Sequence, residues 1–481
     1  MRLALSASLL LLAGAARGDI GLPAVLAEHM VVQRGLPVHI WGSAAPGENV
    51  AVEFRGDTRT ATADRLGRWS IFLAPGDAGG PFGLTVRGQN LIELKDVLVG
   101  DVWVASGQSN MEMTVQGVAH AQDEIATAKY PRIRLFQALQ KVSDYPLEDI
   151  AARPWTACSP ETIAHFSAVA YFFGRHIQQK LDVPIGLIES DWGGTPADAW
   201  TSLHALSGDA ALMPVFAEWD HMNNDRATAL LEAKAEAARP GQRPWRPNLE
   251  NSWMPAGLYN AMLAPLTRFP IRGVIWYQGE SNTSAARAPL YSRLFQTMIR
   301  DWRRAWGQGD FPFLFVQLAN FHTAPDGGWP QVRDAQRQTL ALANTGMAVI
   351  IDIGDPKNIH PTNKQDVGLR LALAARAIAY GEKLEYSGPL YRQSTPEGSA
   401  IRVWFDHAQA LRAKGGDLTG FEIAGANRKF EPASARIDGA TVIVSSKDIA
   451  APMYVRYGWS SDPVCNLYNS EDLPASPFQS E

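Results

Sequence analysis

The sequence predicts an α/β protein: a mainly parallel sheet covered by helices, flanked by an N-terminal and a C-terminal β domain. Three observations carry this reading. Residues 20–98 are short runs at 38–41, 50–54, 69–73 and 84–86, cut by turn signals such as Ala45-Pro46-Gly47, the pattern of antiparallel strands. From residue 99 apolar runs at 102–105, 185–190, 273–277, 313–317 and 347–352 alternate with helical stretches, which is how a parallel sheet is built. After Gly388 short strands return at 401–405, 441–444 and 453–457.

A chain of 481 residues exceeds what one core of ordinary size organises, so several domains are expected. We place a leader at 1–18, the N-terminal β domain at 19–98, the α/β domain at 99–387 and the C-terminal β domain at 388–481. An insertion is expected near 205–251, where helix-prone residues 227–238 precede a proline-rich run at 239–247 that forbids a regular element. Met1-Arg2, an apolar run at 3–16 and small residues around Gly18 read as a secretory signal. No later run stays apolar long enough to span a bilayer, so a secreted or periplasmic protein without a membrane span is expected.

The net charge of -5, without a long basic run, argues against nucleic acid as a partner. Fifteen tryptophans serve cores first, although exposed indoles also stack on sugar rings. Cys158 and Cys465 are the only cysteines; they either pair or remain two free thiols. Clustered Cys/His spacing is absent from the sequence, so neither a metal nor another cofactor is expected. The oligomeric state is left open.

The chemistry starts at Gly107-Gln108-Ser109-Asn110-Met111, which follows the strand-like run at 101–105. Serine becomes a nucleophile only when a base takes its proton and donors stabilise the oxyanion. Donors are available from the Ser109 amide, from Gly193 or Gly194 in Trp192-Gly193-Gly194-Thr195-Pro196, and from the Gln278 side chain. The base is His360, in a loop between strand-like 347–353 and helix-like 366–380. Ser109, Gly193, Gln278 and His360 each follow a predicted strand, and parallel sheets gather such residues at one edge.

The acid that orients the imidazole is harder to place. Many serine hydrolases carry Asp three residues before the histidine, where this chain has Lys357. Asp355 and Asp352 lie at other spacings. Glu280, in the same loop as Gln278, is favoured as the acid, with Asp355 second.

Four segments in this order, Gly107-Gln108-Ser109-Asn110-Met111, Gly193-Gly194-Thr195, Trp276-Tyr277-Gln278-Gly279-Glu280-Ser281-Asn282 and Ile359-His360-Pro361 with Lys364, resemble the sialate O-acetylesterase family of SGNH hydrolases. The resemblance spans about residues 20–480. It implies a flavodoxin-like SGNH core, Ser109 as nucleophile and His360 as base. It also implies an oxyanion hole from Ser109, a glycine of the Gly193-Gly194 pair (Gly194 taken first) and Gln278. Related acetyl esterases with a Gln-Gly-Glu motif use that Glu as the acid, which supports Glu280. Asn110, Trp192 and Asn282 are expected against the substrate.

One departure is Asn358, where many relatives carry Asp. The implied activity is removal of O-acetyl groups from carbohydrate through an acetyl-enzyme. Bacterial relatives resemble enzymes acting on xylan and other plant oligosaccharides as readily as on sialic acid. A carbohydrate-binding protein without catalysis is the rival reading.

Overall fold

The computed structural model describes residues 19–224, 251–323 and 327–480. The leader at 1–18 and most of the expected insertion, including 227–238 and 239–247, lie outside the described residues. Six strands open the chain: β1 (Val31–Gln33), β2 (Val38–Ser43), β3 (Asn49–Phe54), β4 (Asp57–Thr62), β5 (Arg68–Leu73) and β6 (Gly79–Arg87). They lead into β7, a strand of 17 residues (Leu91–Gly107).

β7 crosses the boundary drawn at residue 98. Its first half pairs antiparallel with β6 and alternates between buried and exposed, whereas from Val97 onward every residue is buried. Nothing in Val97-Leu98-Val99 breaks the strand, so one continuous element pairs with β6 at one end and joins the α/β layer at the other. Asp101, buried at this junction, accepts hydrogen bonds from Gln33 Nε2 at 3.0 Å and from Arg34 Nε and Nη2 at 2.9 and 2.8 Å. A buried carboxylate is tolerable there because it is paired and saturated with donors.

The central layer adds β8 (Tyr130–Ala138), β9 (Ala152–Cys158), β10 (Ile185–Asp191), β11 (Gly273–Tyr277), β12 (Phe313–Val316) and β13 (Thr345–Ala348). Its order is β13-β12-β11-β7-β10-β8-β9, with every neighbour parallel except β9, which runs antiparallel to β8. If the outer pair β8 and β9 is set aside, the strands taken in chain order lie 2-1-3-4-5. In that arrangement connections depart in opposite directions from the first strand, opening a crevice between the carboxyl ends of β7 and β11.

Period-two alternation sends side chains to two cores. On one face, Val104, Val274, Trp276 and Phe315 pack against the Ala288–Trp306 and Trp329–Thr339 helices, in a cluster that also takes in residues of the strands before β7. On the other, Ala105, Ile275, Tyr277 and Val316 meet the Ala168–Leu181 and Lys364–Ile378 helices. Burying both faces explains why these strands read as unbroken apolar runs.

The C-terminal strands form their own cluster around Val403, Val442, Ile423, Val455 and Phe478. The buried Arg333 guanidinium ties this part to the α/β layer, donating to the carbonyls of Leu318, Ala319, Ser460 and Ser461 at 2.6–2.8 Å. Cys158 and Cys465 are separate free thiols, and burial pushes them up to about 12 and about 11. No described helix is long and apolar enough to cross a membrane.

Gly107 closes β7 at φ +142°, where a Cβ would lie 2.1 Å from the Tyr277 carbonyl oxygen. Both the conformation and the close approach require glycine. Gly107→Ala is expected to remove more than about 2 kcal/mol of stability in denaturant unfolding; an unchanged midpoint would contradict this packing.

Candidate active site

The turn after β7 is built from its backbone outward. Gln108 N–H donates to the Tyr277 carbonyl at 3.0 Å, and the Gln108 carbonyl accepts from Met111 and Glu112 at 2.7 and 3.0 Å. These bonds start the short Ser109–Glu112 helix directly at the strand end. Ser109 is therefore the first helical residue, whose N–H has no partner within the helix.

The loop after β13 brings His360 to the same edge. His360 N–H donates to Asn358 Oδ1 at 3.0 Å, and Asp355 Oδ1 accepts from the Lys357 amide at 2.8 Å, so side chains fold this loop locally. His360 Nε2 and Ser109 Oγ stand 2.8 Å apart. The pair faces a pocket of about 840 Å³ whose walls include Gln108, Glu112, Trp192, Gly194 and Trp253.

None of the three carboxylates weighed as the acid hydrogen-bonds to the imidazole. Asp355 is exposed and caps its own turn, and Asp352 is paired with Arg370 at 2.6 and 2.8 Å. Glu280 Oε1 accepts from Asn110 Nδ2 at 2.7 Å; the same nitrogen donates to the Ile359 carbonyl at 2.9 Å, and Asn110 Oδ1 accepts from Lys364 Nζ at 2.5 Å. Glu280 thus reaches the histidine loop through Asn110. The buried Asn110 amide spends its hydrogen-bonding capacity on this lock and does not line the pocket, contrary to the expected substrate contact.

Gln278 and Asn282 also turn out to be struts. Gln278 Nε2 donates to Thr195 O at 3.2 Å and Asn282 Oδ1 at 2.7 Å, while Tyr291 O–H donates to Gln278 Oε1 at 3.0 Å. Both amide hydrogens are committed, leaving none for an oxyanion. Asn282 Oδ1 additionally accepts from the Ala197 amide at 3.0 Å, fixing the loop that carries Gly193 and Gly194. Of the three residues expected against substrate, Trp192 alone lines the pocket.

Among the pocket residues that escaped the sequence reading, Glu112 and Trp253 hold the Gly193-Gly194 turn. Glu112 accepts from the Gly193 amide at 2.5 Å and from Gln140 Nε2 at 2.9 Å, and burial pushes its carboxyl upward. Its position three after Ser109 on one helical turn was the available signal. Because Gly193 N–H is engaged by Glu112, Gly194, at φ +70°, remains the glycine of the pair whose amide is uncommitted among the described residues. Trp253 donates to the Gly194 carbonyl at 2.7 Å; it follows the insertion, with no motif to mark it.

Burial lowers the His360 pKa, and the nearby Lys364 cation lowers it further. Burial also pushes Lys364 down to about 7, opposed by Glu280, and pushes Glu280 upward, countered in part by Asn110 and Lys364. Since a general base must be neutral, the acidic limb of kcat/KM is expected below the ordinary histidine value of 6.5. Lys364 is protonated over that range, so Lys364→Met should move the limb to higher pH by relieving imidazolium. A limb that stays in place or moves to lower pH in a pH–rate profile would contradict this coupling.

The family described as carbohydrate esterase, sialic acid-specific acetylesterase matches residues 235–379. Sialate O-acetylesterases of Pongo abelii and Homo sapiens are 33% and 32% identical, each over 91% of this chain and 88% of the relative. A solved carbohydrate acetylesterase from Xanthomonas citri is 40% identical with a TM-score of 0.85, covering 96% of this chain and 100% of that one. Identity at this level along nearly the whole length means that the chain belongs to the sialate O-acetylesterase family, and is a carboxylic ester hydrolase.

Proposed function

We propose that this protein is a serine esterase that removes O-acetyl groups from carbohydrate and releases acetate, on an SGNH core flanked by β domains. The observation that carries the reading is the 2.8 Å contact between Ser109 Oγ and His360 Nε2 at the pocket. In the first half-reaction His360 Nε2 takes the hydroxyl proton while Oγ bonds to the acetyl carbonyl carbon. The amides of Ser109 and Gly194 stabilise the resulting oxyanion. Collapse breaks the bond to the sugar oxygen, which leaves with the proton from the imidazolium. Water, giving its proton to His360, then attacks the acetyl carbon; the bond to Ser109 Oγ breaks, the imidazolium returns the proton to Oγ, and acetate departs.

Glu280 is a positioning residue in this scheme, holding the histidine loop through Asn110. The 2-1-3-4-5 strand order supports the SGNH core, and the leader at 1–18 supports export. A purely carbohydrate-binding role is disfavoured, because binding gives no reason to hold a serine against an imidazole.

One observation bears on the sugar. The described pocket lining carries the Glu112 carboxyl and no Lys or Arg, a wall suited to a neutral acetylated sugar more than to a sialate anion. The test is acetate release from acetylated xylo-oligosaccharides and from O-acetylated sialic acid. Turnover of both is expected, with kcat/KM higher for the neutral substrate. Absence of acetate from both would overturn the hydrolase reading, and a clear preference for the sialate would overturn the neutral one.

A further inference from the structure

A second hollow of about 410 Å³ adjoins the first, and Thr323 and Gly327 line both. Its outer wall comes from the C-terminal β domain, at Trp459 and Asp462, and its inner wall carries His322 and Gln331. Among the described residues nine tryptophans are buried, and five of these place their N–H on a carbonyl, as Trp155 on Val25 at 2.9 Å and Trp329 on Ala319 at 2.8 Å. Trp459 is half-buried and, like Trp219, Trp253 and Trp404, belongs to none of the three hydrophobic clusters formed by the described residues; of these four it is the one that lines this hollow.

The backbone beneath this indole is nevertheless held firmly. Arg333, fully buried, binds the carbonyls of Ser460 and Ser461 at 2.7 and 2.8 Å. Phe321 N–H donates to Ser461 O at 3.1 Å, and Asn320 Nδ2 donates to Asp462 Oδ1 at 2.9 Å. A large apolar ring with no core to fill, on a loop fixed by buried hydrogen bonds beside a sugar-sized hollow, is a stacking platform organised before ligand arrives.

We propose that this hollow is a sugar-binding subsite of the same active-site groove. A neighbouring residue of an acetylated oligosaccharide stacks on Trp459 while Asp462, Gln331 and His322 meet its hydroxyls. The inference rests on the hydrolase reading and deepens it: the substrate class is an oligosaccharide, with the C-terminal β domain supplying part of its site.

The test is calorimetric titration of acetylated xylotetraose and acetylated methyl xyloside into Ser109→Ala, with and without Trp459→Ala or Trp459→Phe. Trp459→Ala should weaken the tetrasaccharide about tenfold relative to the monosaccharide, and Trp459→Phe, which keeps a ring, should recover most of the loss. Equal effects of Trp459→Ala on the two ligands, or none, would overturn the subsite. Binding that depends on Trp459 in a protein whose wild type releases no acetate would strike the hydrolase reading alone and leave the subsite standing.

Discussion

A hydroxyl and an imidazole 251 positions apart in sequence stand 2.8 Å from each other, and this contact depends on parallel strands ending at one edge. β7 delivers Ser109 and β13 delivers the loop to His360, on opposite sides of β11 in the sheet. The turn at Gly107 must lie almost against the Tyr277 carbonyl, so β11 sets where the serine helix begins. Side chains then lock the two loops together: Asn110, next to the serine, binds the carbonyl of Ile359, next to the histidine. The lock fixes the loops of both side chains through a single amide, as a rigid scaffold does when it holds two groups at a set distance.

Burying charge beneath that lock shapes its chemistry. Glu280 and Lys364 are both removed from water and joined through Asn110 instead of touching directly. Each offsets part of the other's desolvation, and removal of either partner would leave the other's charge uncompensated. Burial first, and then the cation, lower the imidazole's pKa and so favour its neutral form. Polarity at the pocket surface is supplied separately by Glu112, whose carboxylate engages the Gly193 amide.

The architecture was legible because burial leaves a plain pattern: strands covered on both faces are continuous apolar runs, and 102–105, 273–277 and 313–317 fall within β7, β11 and β12. Ser109 and His360 were legible for a related reason, since residues following parallel strands converge at the carboxyl edge. Gln278 shows where motif reading stops. Its residue type suits an oxyanion donor, but its use is set by Thr195 and Asn282, which only the folded chain brings within reach. The same holds for Glu280, one hydrogen bond removed from the histidine loop by Asn110. The domain boundary was obscured by the opposite effect: a strand that continues from one layer into the next gives no break in composition.

The most direct measurement is covalent capture of the nucleophile: the intact protein is treated with a fluorophosphonate and the modified peptide is mapped by mass spectrometry. A serine activated by His360 predicts stoichiometric labelling at Ser109, prevented by His360→Ala and by prior occupancy of the pocket with an acetylated sugar. Labelling at another residue, or an inert Ser109 in a protein that still turns over substrate, would contradict the assignment of this hydroxyl and imidazole as the reacting pair.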